Sequence, residues 1–226
     1  NTRVALAEGR RLIDGSVRRY ANAEFPGLET VLRQYVEDEG GVDPRAACVA
    51  VAGPVRDGRA TLTNRDWTID RATLARATGA ETASILNDLQ AQGHALGYLG
   101  HGSVDTILAG PDLPDDTRLV IGVGTGFNAA PVHQAGGIRH VPASEAGHAN
   151  LPIRTEEELR LCRYVSTAHG FPAVEDVLSG RGLERVYGFL GQEAGDPREA
   201  TAHEIMDGVK SGGDARAEAA ARLFVR

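Results

Sequence analysis

Lysine is almost missing from this chain: Lys210 is the only one among 24 basic residues, the rest being arginine. That excludes a mechanism built on a P-loop lysine or a Schiff-base lysine anywhere else in the sequence. Cysteine is nearly as scarce. Cys48 and Cys162 stand alone, outside any CxxC or Cys/His grouping, so neither a disulfide framework nor a structural zinc site is expected. Cys48, within "AACVAVAG", is expected to pack as a small core residue. No apolar run approaches the length of a membrane span, and no signal-peptide pattern is present. Positive charge is also in deficit: the formal charge is −7 and no basic run occurs, which argues against a nucleic-acid surface. A soluble protein of the reducing cytoplasm is the expectation.

What is present is ordinary globular material: 226 residues, 42% apolar and 24% charged, enough for one large domain or two smaller ones. "RVALAE" alternates, turn signals follow, and "SVRRYANAE" reads as its antiparallel partner. Leu28, Val31, Leu32, Tyr35 and Val36 fall at helical spacing between Pro26 and Gly40. "AACVAVAG" has the continuous apolar character of a buried parallel strand. "DRATLARATG" reads as a helix with Asp70 as N-cap, and "SILND" as a short strand running into another helix. After a loop from about residue 99 come strands joined by glycine turns, then mainly helical segments. Strands in hairpins followed by alternating strands and helices indicate an α/β fold with a mixed sheet.

"SILNDLQAQGHALG" places Asn87 and Asp88 where a strand ends and a helix begins. Either residue there serves as a cap, and strand ends in α/β proteins are also where reactive groups are displayed. "IGVGTGFN" is neither a Walker loop nor a dinucleotide fingerprint, since Phe127 stands where a third glycine belongs. Such a turn between strands either aims backbone N–H groups and the Thr125 hydroxyl at phosphate oxygens, or is a plain tight hairpin whose glycines supply positive φ. "SEAGHANLP" holds Glu145 and His148 around a small-residue turn, a pair able to accept from and donate to adjacent hydroxyls of a polyol. No third ligand at recognisable spacing accompanies them, so no metal site is expected. "AVEDVLSGRGL" carries Glu175, read as lying within a helix, and "LTNRDW" offers Asn64.

Taken in order, "AGPVRDGRATLTNRDW", "ILND", "GVGTG", "SEAGH" and "VEDVLSGRGL" resemble the bacterial glucokinase family across essentially the whole chain. The resemblance implies an α/β, actin-like/ribonuclease H-like two-domain sugar kinase fold with a cleft between the domains. Residues 1–98 would form the smaller domain and 99–226 the larger, incomplete at the N- and C-terminus respectively. It implies transfer of the ATP γ-phosphate to the 6-hydroxyl of glucose, with Mg²⁺ accompanying the nucleotide. Asp88 matches the catalytic base. Asn64, Asn87, Glu145, His148 and Glu175 match sugar-binding positions, and Asn1, Gly124, Thr125 and Gly126 match phosphate loops. Members of the family are often dimers, so a homodimer is the implied assembly.

Two departures accompany the match: Phe127-Asn128 after the "GTG" turn and Ala146 within "SEAGH", where the family usually has glycine. They are expected to bear on nucleotide geometry or sugar preference. Asn1 aligns with the last residue of the family's Asp-x-Gly-Gly-Thr-Asn loop, and the final Ala-rich helix has no C-cap signal. Both ends therefore read as cut edges of a longer protein, and the isolated piece is expected to transfer phosphate poorly. The alternative is a sugar-binding protein without kinase activity. A glycosidase pairing Asp88 with Glu145 would leave the "GVGTG" turn without a role.

Overall fold

Leu28, Val31, Leu32 and Tyr35, the apolar stripe legible in the sequence, are the buried residues of helix α1 (Leu28–Asp38). The computed structural model describes residues 1–62, 67–100, 102–111, 113 and 116–226. The chain divides into two compact units, residues 1–114 and 115–226.

In the first unit β1 (Thr2–Val4) pairs antiparallel with β4 (Arg18–Tyr20), the hairpin of β2 (Ala7–Glu8) and β3 (Arg11–Leu12) lying between them in sequence. After α1 comes β5 (Ala46–Val51), then an antiparallel sheet of β6 (Val55–Arg56), β7 (Arg59–Thr61) and β8 (Thr68–Asp70). Helix α2 (Arg71–Thr78) then crosses to β9 (Thr82–Asn87), which runs parallel to β5 with Val51 opposite Asn87. Asp70 is the N-cap of α2, its carboxylate accepting the Thr73 N–H at 2.7 Å, and Gly79 closes the helix at a φ of 77°. Leu28, Val31, Leu32, Val51, Trp67, Ile69, Leu74 and Ile85 form the core.

Cys48 departs from expectation. It is exposed, because β5 alternates rather than being buried on both faces. Among the described residues β5 has β9 as its strand partner, and the side chains that reach the core are those, such as Val51, that face the helices.

In the second unit β10 (Arg118–Val123), β11 (Phe127–Ala135) and β12 (Ile138–His140) form an antiparallel meander. Four helices follow: α4 (Glu156–His169), α5 (Gly180–Glu193), α6 (Ala202–Ser211) and α7 (Ala215–Phe224). Thr155, Ser179, Thr201 and Asp214 cap their N-termini, each side chain accepting a backbone N–H of the first turn. Leu161, Val165, Val186, Phe189, Ile205, Ala217 and Ala220 join these helices in a second core. Among the described residues no helix is long and apolar enough to cross a membrane.

Candidate functional site

The strand-to-helix junction gives the cap to Asn87 and leaves Asp88 in the first helical turn. Asn87 is the N-cap of α3 (Asp88–Ala95), in a capping box where the Gln90 side chain accepts the Asn87 N–H at 3.1 Å. Its Oδ1 accepts the Leu89 N–H at 3.0 Å, and its Nδ2 donates to the Gly53 carbonyl at 3.1 Å. With capping supplied by Asn87, which is only 8% exposed, Asp88 stands exposed on the first turn of the helix. One of its carboxylate oxygens accepts the Leu89 N–H at 2.9 Å. The bond to Gly53 ties the "AGPV" turn after β5 to the end of β9, so the two parallel strands finish together beside Asp88. Asn64 lies outside the described residues. Asn1 is exposed immediately before β1.

In the second unit the other motifs converge. Gly124, Thr125 and Gly126 connect β10 to β11, with Val123 paired to Phe127 across the turn and the Gly124 N–H donating to the Gly126 carbonyl at 2.9 Å. The Gly124 carbonyl accepts the N–H of Gly180, the first residue of α5, at 2.8 Å. Neither Gly124 nor Gly126 has positive φ, so the turn does not need glycine for backbone conformation. A Cβ at Gly126 would meet the Glu175 carboxylate where it now lies, so a larger residue there would displace that side chain. Thr125 is exposed, and the N–H groups of Thr125 and Gly126 donate to no other group among the described residues.

Glu175 lies in a 3-10 turn, Val174–Asp176, rather than within a long helix. The helix starts later because the Ser179 hydroxyl caps α5 by accepting the Gly182 N–H at 2.9 Å, and a Cβ at Gly182 would overlap the Val177 carbonyl. This turn brings Glu175 Oε2 to the Phe127 N–H at 2.9 Å. Arg181, in the first turn of α5, approaches the same carboxylate at 3.6 Å, and its Nε donates to the Thr125 carbonyl at 3.3 Å.

Glu145 and His148 flank a second 3-10 turn, Ala146–His148, and both are exposed. The His148 N–H donates to the Glu145 carbonyl at 3.1 Å. Asn128 fixes this turn, its Nδ2 donating to the Ser144 carbonyl at 2.6 Å and its Oδ1 accepting the Ala146 N–H at 2.9 Å. Gly147 is buried against the Phe127 carbonyl and the Glu175 Cβ. Downstream, the Val174 N–H donates to the Ala149 carbonyl at 2.9 Å, carrying the chain from the "SEAGH" turn past Glu175. Glu145, His148, Glu175 and the Gly124–Gly126 turn are therefore parts of one hydrogen-bonded assembly within the unit. Sequence reading missed Arg181 and treated Asn128 as a departure only. Both bond to backbone groups far away in sequence, which leaves no local pattern.

The chain as a whole has counterparts among known proteins. A family model described as Glucokinase matches residues 1–226. The glucokinase of Saccharophagus degradans is 31% identical over 225 residues, an alignment covering 95% of this chain and 68% of that protein. A crystal structure of glucokinase from an Antarctic psychrotroph superposes with a TM-score of 0.82 at 26% identity, covering 98% of this chain and 70% of that one. The glucokinase of Balamuthia mandrillaris, solved in complex with glucose, gives a TM-score of 0.67 at 26% identity, covering 87% of this chain and 62% of that one. The chain thus spans about two thirds of the length of the curated relatives it matches, 68% for Saccharophagus degradans and 66% for Pseudomonas paraeruginosa. With the family model matched over residues 1–226 and a curated glucokinase 31% identical over 95% of this sequence, the chain belongs to the glucokinase family.

Proposed function

We propose that the protein is an ATP-dependent glucokinase, transferring the γ-phosphate to the 6-hydroxyl of glucose to give glucose 6-phosphate. The observation that carries this reading is the division of labour at the β9–α3 junction: Asn87 caps the helix, and the Asp88 carboxylate is left exposed at the strand end. Asp88 takes the proton from the 6-hydroxyl as that oxygen attacks phosphorus, and the ADP oxygen leaves with the bond electrons. Glu145 and His148 accept from and donate to other sugar hydroxyls, a selection for a polyol over an apolar ligand. Glu175 holds one carboxylate oxygen on the Phe127 N–H and has the other 3.6 Å from Arg181, where it can still accept from a sugar hydroxyl.

The Gly124–Gly126 turn receives the donor phosphates. Its support is the pair of N–H groups at Thr125 and Gly126, uncommitted among the described residues, beside the exposed Thr125. The divalent cation arrives as part of the nucleotide substrate. Mg²⁺ characteristically keeps several waters and binds through phosphates and one or two carboxylates.

Product identity tests the reaction. After incubation of the full natural protein with Mg-ATP and glucose, phosphorus and carbon NMR should show a single monoester at the 6-position. A phosphate at another carbon, or free sugar alone, would contradict the assignment.

A further inference from the structure

We propose that Arg181 is a positioning residue for the phosphoryl donor, acting by clamping the Gly124–Gly126 turn and offsetting the charge of Glu175; the inference rests on that turn being the donor phosphate loop. A carboxylate against a phosphate-binding turn is a physical problem. Glu175 Oε2 is held on the Phe127 N–H at 2.9 Å and packs directly against Gly126, where a Cβ would displace it. Left uncompensated, its negative charge would repel the anionic donor that the neighbouring N–H groups are placed to receive.

Arg181 answers both needs from one side chain. Its Nη2 is 3.6 Å from Glu175 Oε1, and its Nε donates to the Thr125 carbonyl at 3.3 Å. The guanidinium therefore bridges the residue that supplies the negative charge and the residue at the tip of the turn. Its backbone is anchored independently, since Gly180 just before it donates to the Gly124 carbonyl at 2.8 Å. The Arg181 side chain is 58% exposed and that of Glu175 29%, so the guanidinium sits on the solvent side, where a donor approaches. A fork of N–H groups can make both contacts at once; an ammonium supplies charge at one point only.

The test is steady-state kinetics on the full natural chain, comparing wild type with Arg181→Gln and Arg181→Lys. Loss of a charge-assisted contact at this exposed site should raise the KM for ATP about tenfold in Arg181→Gln. The KM for glucose should change much less, since Glu175 keeps its bond to the Phe127 N–H, and Arg181→Lys should fall between. Because the side chain is exposed, circular dichroism should show wild-type folding in both variants. An unchanged ATP KM in Arg181→Gln overturns the proposal, and so does a parallel rise in both KM values, which would mark a general structural role. Failure of the kinase reading is separately visible, as a wild-type protein with no hexose-dependent ADP release.

Discussion

The side-chain carbonyl of Asn128 accepts the backbone N–H of Ala146 at 2.9 Å, joining the first residues of β11 to the turn that carries Glu145 and His148. The same amide donates to the Ser144 carbonyl at 2.6 Å, so one side chain grips the turn on both sides of Glu145. Replacing Asn128 with Ala leaves a backbone donor and acceptor without their partner, a loss of about 1–3 kcal/mol. The turn would loosen while the β10–β11 pairing persists. Kinetics of Asn128→Ala should show a higher KM for glucose with the KM for ATP little changed; an unaltered glucose KM would mean that the turn does not hold the sugar.

Gly147 makes a sharper demand than its neighbour. Position 146 is already alanine, whereas a Cβ on Gly147 would overlap the Phe127 carbonyl. Forcing a methyl group into that contact costs about 1–3 kcal/mol. Thermal unfolding of Gly147→Ala should occur at a lower temperature than wild type, while Ala146→Gly should change it little. Equal midpoints for wild type and Gly147→Ala would contradict the close packing at this turn.

Ser179 is fully buried and caps α5 through the Gly182 N–H at 2.9 Å. Removing the hydroxyl costs about 1 kcal/mol and frays the helix end that bears Arg181. Denaturant unfolding of Ser179→Ala should show that loss. A midpoint in Ser179→Ala equal to wild type would sink the capping role.

Caps also set the response to acid. Backbone N–H groups at helix starts are the chief cause that lowers the pKa of four carboxyls below the ordinary range: the Thr73 N–H for Asp70, the Arg154 N–H for Glu158, the Thr201 N–H for Glu204 and the Ala217 N–H for Asp214. A depressed folded-state pKa gives stability that is present above the unfolded value and is lost as pH falls through the folded one. The melting temperature should therefore hold near neutrality and decline below about pH 4. Replacing Asp214 with Asn, which retains a cap but cannot titrate, should flatten part of that decline. An acid profile identical to wild type would contradict the linkage.

Much of the frame was legible because it is written in local periodicity and caps. The Leu28–Tyr35 stripe, the Asp70 cap and the strand-to-helix step at Asn87–Asp88 each depend on residues within a few positions. The reading failed where tertiary contacts decide. Glu175 lies in a 3-10 turn because the buried Ser179 cap, with Gly180 and Gly182, starts the helix after it. Cys48 faces outward because β5 is covered on one side, which an apolar run cannot reveal. Gly126 has no positive φ and packs against the Glu175 carboxylate, a contact across 49 positions of sequence that no local pattern announces.

Asp88 carries the chemical claim. Asp88→Asn should retain the α3 cap, since Asn87 supplies it, and lose turnover by about 10²–10⁴. Glucose should still raise the melting temperature of that variant; unchanged turnover would remove Asp88 from the role of base.

The most direct test of the account is ATP-dependent ADP release by the full natural protein over a panel of hexoses. The account predicts release with glucose well above the other hexoses and none without ATP. A folded protein that releases no ADP with glucose, yet is stabilised by glucose against heat, would contradict it and leave a sugar-binding protein in place of a kinase.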